Sequence, residues 1–281
     1  MKTIAYNRNP SVAAFMTRAF WPSKGFKNIK NLPHFEINQK NFQFTQDLCS
    51  KMYKLTQIPY AETLPIFFPQ AMSFRLVMRT VTDPDFPEPI WNALQLRNEI
   101  NQFYPLRVND TVNFTLKTHS YRFLEKGVEA DFITEAHRDG VLCWQNITTF
   151  YYRIKHGRPI EVPIKPPPAI STAPTNSFQL PNDGGLKFGD LSGDYNGIHL
   201  YSPYAKMLGF KSAFLHPHRV VGAALAHIPI TVNYPCGLDL WFRGPVPYGA
   251  TARLAVERQN NQTCFALYAD DDRPSIIGKI R

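Results

Sequence analysis

The sequence predicts an α+β protein that contains the same unit twice, and three observations support this prediction. A proline-rich stretch near the middle of the 281 residues leaves about one domain of chain on either side. Each side presents an apolar helical stretch followed by four strand-like runs. Hydrophobic residues make up 44% of the chain and charged residues 19%, which is enough apolar material for a core and excludes a disordered chain.

The proline-rich stretch also sets the predicted domain boundaries. Successive prolines remove backbone donors and hold the chain extended, so this stretch reads as a semi-rigid linker. The predicted division is an N-terminal extension at 1–60, a first half at 61–155, the linker at 156–182 and a second half at 183–281.

The two halves agree in the order of their predicted elements. The predicted helices are Gln70–Thr80 and Arg219–His227. The predicted strands are Ala93–Phe103, Thr111–Tyr121, Val128–His137 and Val141–Tyr152 in the first half, and Gly237–Phe242, Thr251–Gln259, Thr263–Ala269 and Ser275–Ile280 in the second. The turns match as well, because a proline ends one strand and a Gly or Asn-Asp turn starts the next in both halves. Two unrelated strand meanders are the alternative interpretation.

The N-terminal extension contains an amphipathic stretch at Ser11–Phe20. Val12, Met16 and Phe20 recur every four residues, and Phe15 joins their face. This spacing predicts a helix that packs against the body of the protein. A helix on a membrane surface is the alternative, although the stretch is short and carries one basic residue.

Charge and cysteine content narrow the possible partners and compartments. The chain carries 31 basic and 22 acidic residues, a net charge of +9 that favours an anionic partner such as a phosphate-bearing ligand, an acidic carrier protein, a lipid surface or nucleic acid. The basic residues are scattered, which argues against nucleic acid. No apolar run is long enough to span a membrane, and no secretory signal is recognisable. The four cysteines lie far apart, so we expect no disulfide scaffold and a cytoplasmic protein.

One short segment, Phe188–His199, concentrates the polar side chains that chemistry needs. Asp194, Asn196 and His199 fall within six residues, in a stretch too rich in glycine for a regular helix. A carboxylate beside an imidazole is the pair that general acid–base catalysis uses, and a turn leading into a helix can aim both at one point. The residues alone also allow a plain turn, in which Asp and Asn form the bend and His199 caps a helix.

Leu191–His199 resembles the signature of the MaoC-like (R)-specific enoyl-CoA hydratases, Ser-Gly-Asp-x-Asn-Pro-x-His. Downstream, Ala205–Phe210 is similar to the family's Ala-x-x-x-Gly-Phe segment, and Phe214–His216 lies at the spacing of its His-Gly step into the central helix. The close resemblance covers about residues 185–228. Gly197 departs from it, since the family has proline there. The matching motif positions are Ser192, Gly193, Asp194, Asn196 and His199.

The resemblance implies a double hot-dog fold, in which each half wraps an antiparallel sheet around a helix. It implies a hydro-lyase of fatty acid metabolism, a hydratase or dehydratase that interconverts trans-2-enoyl and (R)-3-hydroxyacyl thioesters without a cofactor. Asp194 and His199 would activate one water between them, and Asn196 would orient the loop, with Ser192 and Gly193 in support. The first half, 61–155, lacks the motif, and the resemblance implies that it is non-catalytic and helps to form the tunnel for the acyl chain. The second half, 183–281, is implied to be the catalytic one.

One departure from the family bears on the mechanism. In the family, a glycine after the histidine begins the central helix and offers its N–H to the thioester oxygen, whereas this chain has Pro217, which has no N–H. Proline is favoured in a first helical turn, so Pro217 is compatible with the start of the helix. We expect the N–H of His218 to replace the missing donor, with His216 and Pro217 beside it at the substrate.

Several alternatives follow from the same residues. His199, His216, His218 and His227 suggest a metal site, but no acidic or Cys partner has suitable spacing, so we expect no metal. The basic surplus suits the phosphates of coenzyme A or the acidic face of an acyl carrier protein. A thioesterase and a non-catalytic acyl-thioester-binding protein are the rival functions. Acyl chain length and oligomeric state, including a homodimer, are left open.

Overall fold

A computed structural model describes residues 1–18, 22–168, 170–229, 232–259, 262–269 and 272–281. Its strands within these residues are β1 Lys2–Tyr6, β2 Phe35–Gln43, β3 Ala93–Gln102, β4 Thr111–Leu124, β5 Gly127–Arg138, β6 Val141–Tyr152, β7 Asn176–Gln179, β8 Cys236–Phe242, β9 Thr251–Gln259, β10 Gln262–Tyr268 and β11 Ile276–Ile280. Its α-helices are α1 Val12–Arg18, α2 Gln46–Thr56, α3 Phe68–Val81, α4 Leu186–Ser192, α5 Ser202–Met207 and α6 Pro217–Ala226.

The described strands form one sheet in the order β1-β2-β4-β5-β6-β3-β8-β11-β10-β9-β7. The first pair is parallel and the other pairs are antiparallel. The order β4-β5-β6-β3 is repeated by β9-β10-β11-β8, each preceded in sequence by one helix, α3 or α6. The predicted α+β fold and its tandem duplication are therefore confirmed. Every strand predicted for the two halves is present, with ends that differ by a few residues.

The two halves meet where β3 pairs with β8. The register runs from Arg97 opposite Trp241 to Gln102 opposite Cys236. The Arg97 guanidinium also lies over the Trp241 ring at 5.5 Å from its centroid. This pairing satisfies the backbone groups that each half alone would leave at an open edge. One continuous sheet therefore spans both halves.

The N-terminal extension adds to the edge of the first half. α1 buries Val12 and Phe15 in the core, so this part of the predicted amphipathic helix packs against the body, while Phe20 lies outside the described residues. β2 pairs with β4 and continues the sheet outward to β1. The hydrophobicity pattern did not reveal β2, because its buried Gln39 interrupts the apolar alternation and instead donates a hydrogen bond from Nε2 to Asn9 Oδ1 at 2.6 Å.

The helix α6 is positioned by a close contact with α2. An added Cβ at Gly222 would lie 2.4 Å from Thr56 Cβ, so this helix face needs a residue without a side chain. Arg219, one turn earlier, is almost fully buried and donates from Nε to the Leu55 carbonyl at 3.1 Å. These contacts fix the start of α6 beside the loop that follows α4. Among the described residues, no helix has the length and apolar character needed to cross a membrane.

Candidate active site

The loop that carries the motif begins where Gly193 ends α4. Gly193 has a φ of +83° and donates its N–H to the Gly189 carbonyl at 2.7 Å, the left-handed cap that glycine favours. A Cβ there would lie 2.5 Å from Arg75 Cγ. Ser192 Oγ donates to the Phe188 carbonyl at 2.8 Å and accepts the N–H of Asp194 at 3.2 Å. Together these contacts turn the chain directly before Asp194.

Asn196 shapes the next turn of the loop. Its N–H donates to Asp194 Oδ1 at 3.2 Å, and its Oδ1 accepts the N–H of Ile198 at 3.4 Å at the start of the 3₁₀ turn Gly197–His199. The structure explains the glycine at position 197, because a Cβ there would lie 2.7 Å from Tyr204 Cδ1. The Tyr204 ring therefore occupies the space that the side chain of any other residue would need at that position.

Asp194 and His199 lie side by side in the interior. Asp194 Oδ2 and His199 Nε2 are 3.9 Å apart, and both side chains are buried. His199 Nδ1 donates to the Phe214 carbonyl at 3.0 Å, so Nε2 keeps its lone pair and faces the carboxylate. A separation of 3.9 Å is too long for a direct hydrogen bond. One water at hydrogen-bonding distance from both atoms would bridge them.

Burial shifts the pKa values of this pair in opposite directions. Burial raises the pKa of Asp194, although His199 and the Asn196 N–H act against the shift. Burial likewise lowers the pKa of His199, and the Asp194 carboxylate and the Phe214 carbonyl act against that shift. The pair therefore favours a neutral imidazole at neutral pH and a carboxyl that accepts a proton more readily than an exposed one.

His216 supports the pair from behind. Its Nε2 donates to the Asp194 backbone carbonyl at 3.0 Å, and its ring stacks on the His199 ring with centroids 4.2 Å apart. Phe188 contacts the His216 ring at 4.8 Å. Gly185 leaves the space for this arrangement, because a Cβ there would lie 2.4 Å from the His199 carbonyl oxygen. His216 therefore contacts both members of the pair, although it does not line the cavity described below.

Pro217 and His218 begin α6, and only Pro217 lines the cavity. The His218 ring contacts the rings of Phe74 and Phe188, with centroids 6.3 and 6.5 Å away. Its Nε2 has no hydrogen-bond partner in the described part of the chain, and burial lowers its pKa to about 3. The backbone N–H of His218, in the first helical turn, likewise has no partner among the described residues.

The structure places an acidic group, Asp194, beside two of the histidines, whereas the sequence spacing had suggested no acidic partner for a metal site. Ligand atoms of Asp194, His199 and His216 all lie within 4.8 Å of one another. The two rings stack with an interplanar angle of 28°, however, so lone pairs in their planes do not converge on one ion. The other nitrogen of each ring, His199 Nδ1 and His216 Nε2, donates a hydrogen bond to a backbone carbonyl. His227 lies elsewhere, stacked on Phe178 with centroids 4.1 Å apart.

A cavity of about 560 Å³ opens in front of Asp194 and His199. Glu129 is an acidic wall residue outside the loop, and its Oε2 accepts from Arg97 Nη1 at 3.0 Å and also from Arg122, so its charge is compensated. Few of the wall residues could be identified from the sequence, because they come from distant segments. These walls include Phe74, Leu94, Gln95, Leu96, Leu124, Phe150, Tyr151, Pro163, Ile164, Pro166, Phe210, Phe214, Val220, Trp241, Arg243 and Gly244.

A second cavity of about 350 Å³ adjoins the first and shares Phe210, Phe214 and Arg243 with it. Lys211 and Arg273 add two further cations to its lining. No acidic residue lines it in the described part of the chain. This second cavity is therefore a basic pocket beside the apolar one.

Comparison with known proteins gives one curated relative of clear similarity. Over 209 residues the chain is 29% identical to 3-hydroxyacyl-thioester dehydratase X of Mycobacterium tuberculosis, covering 72% of each chain. No protein-family model matches the chain.

Solved structures agree at the level of the fold. The crystal structure of HtdX of Mycobacterium tuberculosis superposes with a TM-score of 0.76 at 22% identity, over 88% of this chain and 99% of that one. A MaoC-like dehydratase from Phytophthora capsici gives a TM-score of 0.71 at 16% identity, over 91% and 97%. A Mycobacterium tuberculosis protein described as having a double hotdog fold gives 0.56 at 10% identity, over 92% and 97%. The predicted double hot-dog fold and the resemblance to the MaoC-like dehydratases are thus confirmed.

The buried His218 ring generates a prediction on acid stability. With a pKa of about 3 in the folded protein and about 6.5 in an unfolded chain, the imidazole takes up a proton mainly on unfolding as pH falls below about 6.5. The unfolded state is thereby favoured at low pH. We expect His218→Phe to lower the dependence of unfolding free energy on pH by up to about 1.4 kcal/mol per pH unit between about pH 6 and 4.5. Urea denaturation across this range measures the slope, and an unchanged slope would contradict the assigned direction.

Proposed function

We propose that this chain is a hydro-lyase that interconverts trans-2-enoyl and (R)-3-hydroxyacyl thioesters. The observation that carries the proposal is the buried Asp194–His199 pair, 3.9 Å apart at the wall of an apolar cavity. Such a pair can hold one water and exchange protons with it. The similarity to a relative named as a 3-hydroxyacyl-thioester dehydratase supports the same reaction.

Hydration begins with a water held between Asp194 Oδ2 and His199 Nε2. The pair takes one proton from this water while its oxygen adds to C3 of the enoyl thioester. The pair then gives a proton to C2, so it ends in its starting protonation state and the product carries all the atoms of water. Dehydration is the reverse of these steps. The raised pKa of Asp194 and the lowered pKa of His199 bring both groups closer to proton exchange with each other.

Negative charge develops on the thioester oxygen during this addition, and a backbone donor would stabilise it. Pro217 lines the cavity but has no N–H. We assign this role to the N–H of His218, which is the first amide of α6 and has no partner among the described residues. The geometry favours His216 as a supporting residue behind the pair, and Asn196, Ser192 and Gly193 as the residues that hold the loop.

The carrier of the acyl group belongs to the same proposal. The pocket lined by Lys211, Arg243 and Arg273 suits phosphate groups, and it adjoins the apolar cavity that would take the acyl chain. Coenzyme A and the phosphopantetheine arm of an acyl carrier protein both offer phosphate at the end away from the thioester. The widely separated, unpaired cysteines support a cytoplasmic reaction.

The first test concerns the pair. We expect Asp194→Ala or His199→Ala to lower kcat for hydration of crotonyl-CoA and of a longer enoyl-CoA by about 100-fold or more. The loss of enoyl absorbance measures the hydration rate. The double variant should lose little more than the worse single variant, because both residues serve one step.

Controls for this test lie in the same half of the chain. Asp190→Asn and His227→Ala change exposed residues away from the cavity and should retain full activity. Release of free thiol without loss of the double bond would identify a thioesterase instead. Independent losses that multiply, or no loss, would indicate a protein that binds acyl thioesters without turnover.

A second test concerns the oxyanion donor. If the His218 N–H already serves, Pro217→Gly adds a donor that is not needed and loosens the helix start, so we expect kcat to stay the same or to fall. Steady-state kinetics with a melting-temperature measurement would separate the two effects. A rise in kcat of up to about 100-fold, equivalent to about 2.7 kcal/mol, would mean instead that the native site lacks a donor.

A third test concerns the basic pocket. We expect Lys211→Gln and Arg243→Gln to raise KM for an enoyl-CoA several-fold with little change in kcat, because they remove attraction for the phosphates. The same variants should scarcely affect an enoyl-pantetheine, which has no phosphate. Lys206→Gln is the matched control, since Lys206 is exposed and lines neither cavity. Equal effects on both substrates would exclude the phosphate role.

A further inference from the structure

The linker between the two halves forms part of the cavity wall. Pro163, Ile164 and Pro166 line the apolar cavity together with Leu124 at the end of β4 and Tyr151 near the end of β6. We call residues 156–166 the strap. Proline-rich linkers commonly act as spacers between domains. This one instead contributes side chains to the candidate active-site cavity.

The strap is tied to the last two residues of β4. The Glu161 N–H donates to the Phe123 carbonyl at 2.7 Å, and the Phe123 N–H donates to Glu161 Oε1 at 3.0 Å. His156 Nε2 donates to the Leu124 carbonyl at 2.6 Å. The Arg158 guanidinium lies over the Phe123 ring at 4.9 Å. These contacts fix residues 156–161 of the strap to the end of β4, directly before the residues that line the cavity.

The composition of the strap suits an apolar wall. An irregular segment beside an apolar cavity normally exposes N–H groups that have no partner there, and each such group costs free energy. Pro163 and Pro166 have no N–H to expose, and their rings restrict the backbone to extended conformations. The segment thereby remains irregular and still presents a rigid apolar surface.

The two cavities differ in the charge of their linings. The cations Lys211, Arg243 and Arg273 line the basic pocket, which adjoins the cavity at Phe210 and Phe214. The cavity that the strap lines has mainly apolar walls, and the carboxylate of Glu129 in its wall is compensated by arginines. A phosphate-bearing carrier therefore favours the basic pocket, and an acyl chain in the apolar cavity can meet the strap, because Ile164 lines the same cavity as Asp194 and His199.

We propose that the strap, through Ile164, sets the length of the acyl chain that the site accepts. This proposal rests on the function proposed above. Ile164 is 45% exposed but lines the cavity, whereas Val162, two positions earlier, is 81% exposed and does not line it. These two β-branched residues of one segment form a matched pair, in which only Ile164 meets the chain.

The experiment is a chain-length series of trans-2-enoyl-CoA substrates, from four carbons to sixteen, with kcat/KM measured for each. We expect Ile164→Ala to raise kcat/KM for the longest substrates relative to the four-carbon substrate by about tenfold, because it removes wall volume at the chain end. Ile164→Trp should shift the preference toward short chains by a similar factor. Val162→Ala should leave the profile unchanged.

The outcomes separate the two proposals. If all variants turn over enoyl substrates with the wild-type length profile, the strap does not measure the chain and the inference is wrong. If Val162→Ala shifts the profile as much as Ile164→Ala, the effect is a general loosening and the inference is again wrong. If the wild-type protein hydrates no substrate, the proposed reaction fails. Calorimetric binding of saturated acyl-CoA of the same lengths would then test the strap, with a length profile that moves only in the Ile164 variants as the supporting result.

Discussion

Two hydrogen bonds from imidazole to backbone carbonyl hold the candidate site together. His199 Nδ1 donates to Phe214, and His216 Nε2 donates to Asp194, so the motif loop and the segment before α6 each donate once to the other. Each bond also fixes which ring nitrogen carries the proton. The free nitrogen of His199 therefore faces Asp194. The position of the pair depends on these two bonds more than on any direct contact between its members, which are 3.9 Å apart.

Keeping three histidines neutral in the interior has a cost in free energy. Four buried side-chain polar atoms lack a partner within the described residues, and two of them are His216 Nδ1 and His218 Nε2. An unpaired buried polar atom costs about 1–3 kcal/mol. Apolar residues would fill the same space without that cost. Part of this cost arises beside Asp194 and His199, where burial shifts the pKa values of the pair, and such local departures from optimal stability are typical of functional sites.

The features that could be predicted from the sequence depend on residues close together in the chain, and those that could not depend on contacts between distant residues. Asp194, Asn196 and His199 fall within six residues, so their proximity could be predicted from a local motif. His216 binds Asp194 from 22 residues away, and Ile164 reaches the cavity from the linker, and no local pattern records either contact. The strands of the two halves were predicted because their apolar residues alternate. β7 was missed because it spans only four residues inside a proline-rich segment.

The first half has the fold without the motif, and the geometry of β3 shows what it contributes. In a regular strand, neighbouring side chains point to opposite faces. Leu94, Gln95 and Leu96 are consecutive, yet all three line the cavity. The register between β3 and β6 shifts between Gln95 and Arg97, and a bulge of this kind interrupts the alternation. β3 is also the strand that pairs with β8 of the second half. The irregular strand at the junction therefore supplies an apolar wall to a site whose polar groups come from the other half, so neither half alone could form both.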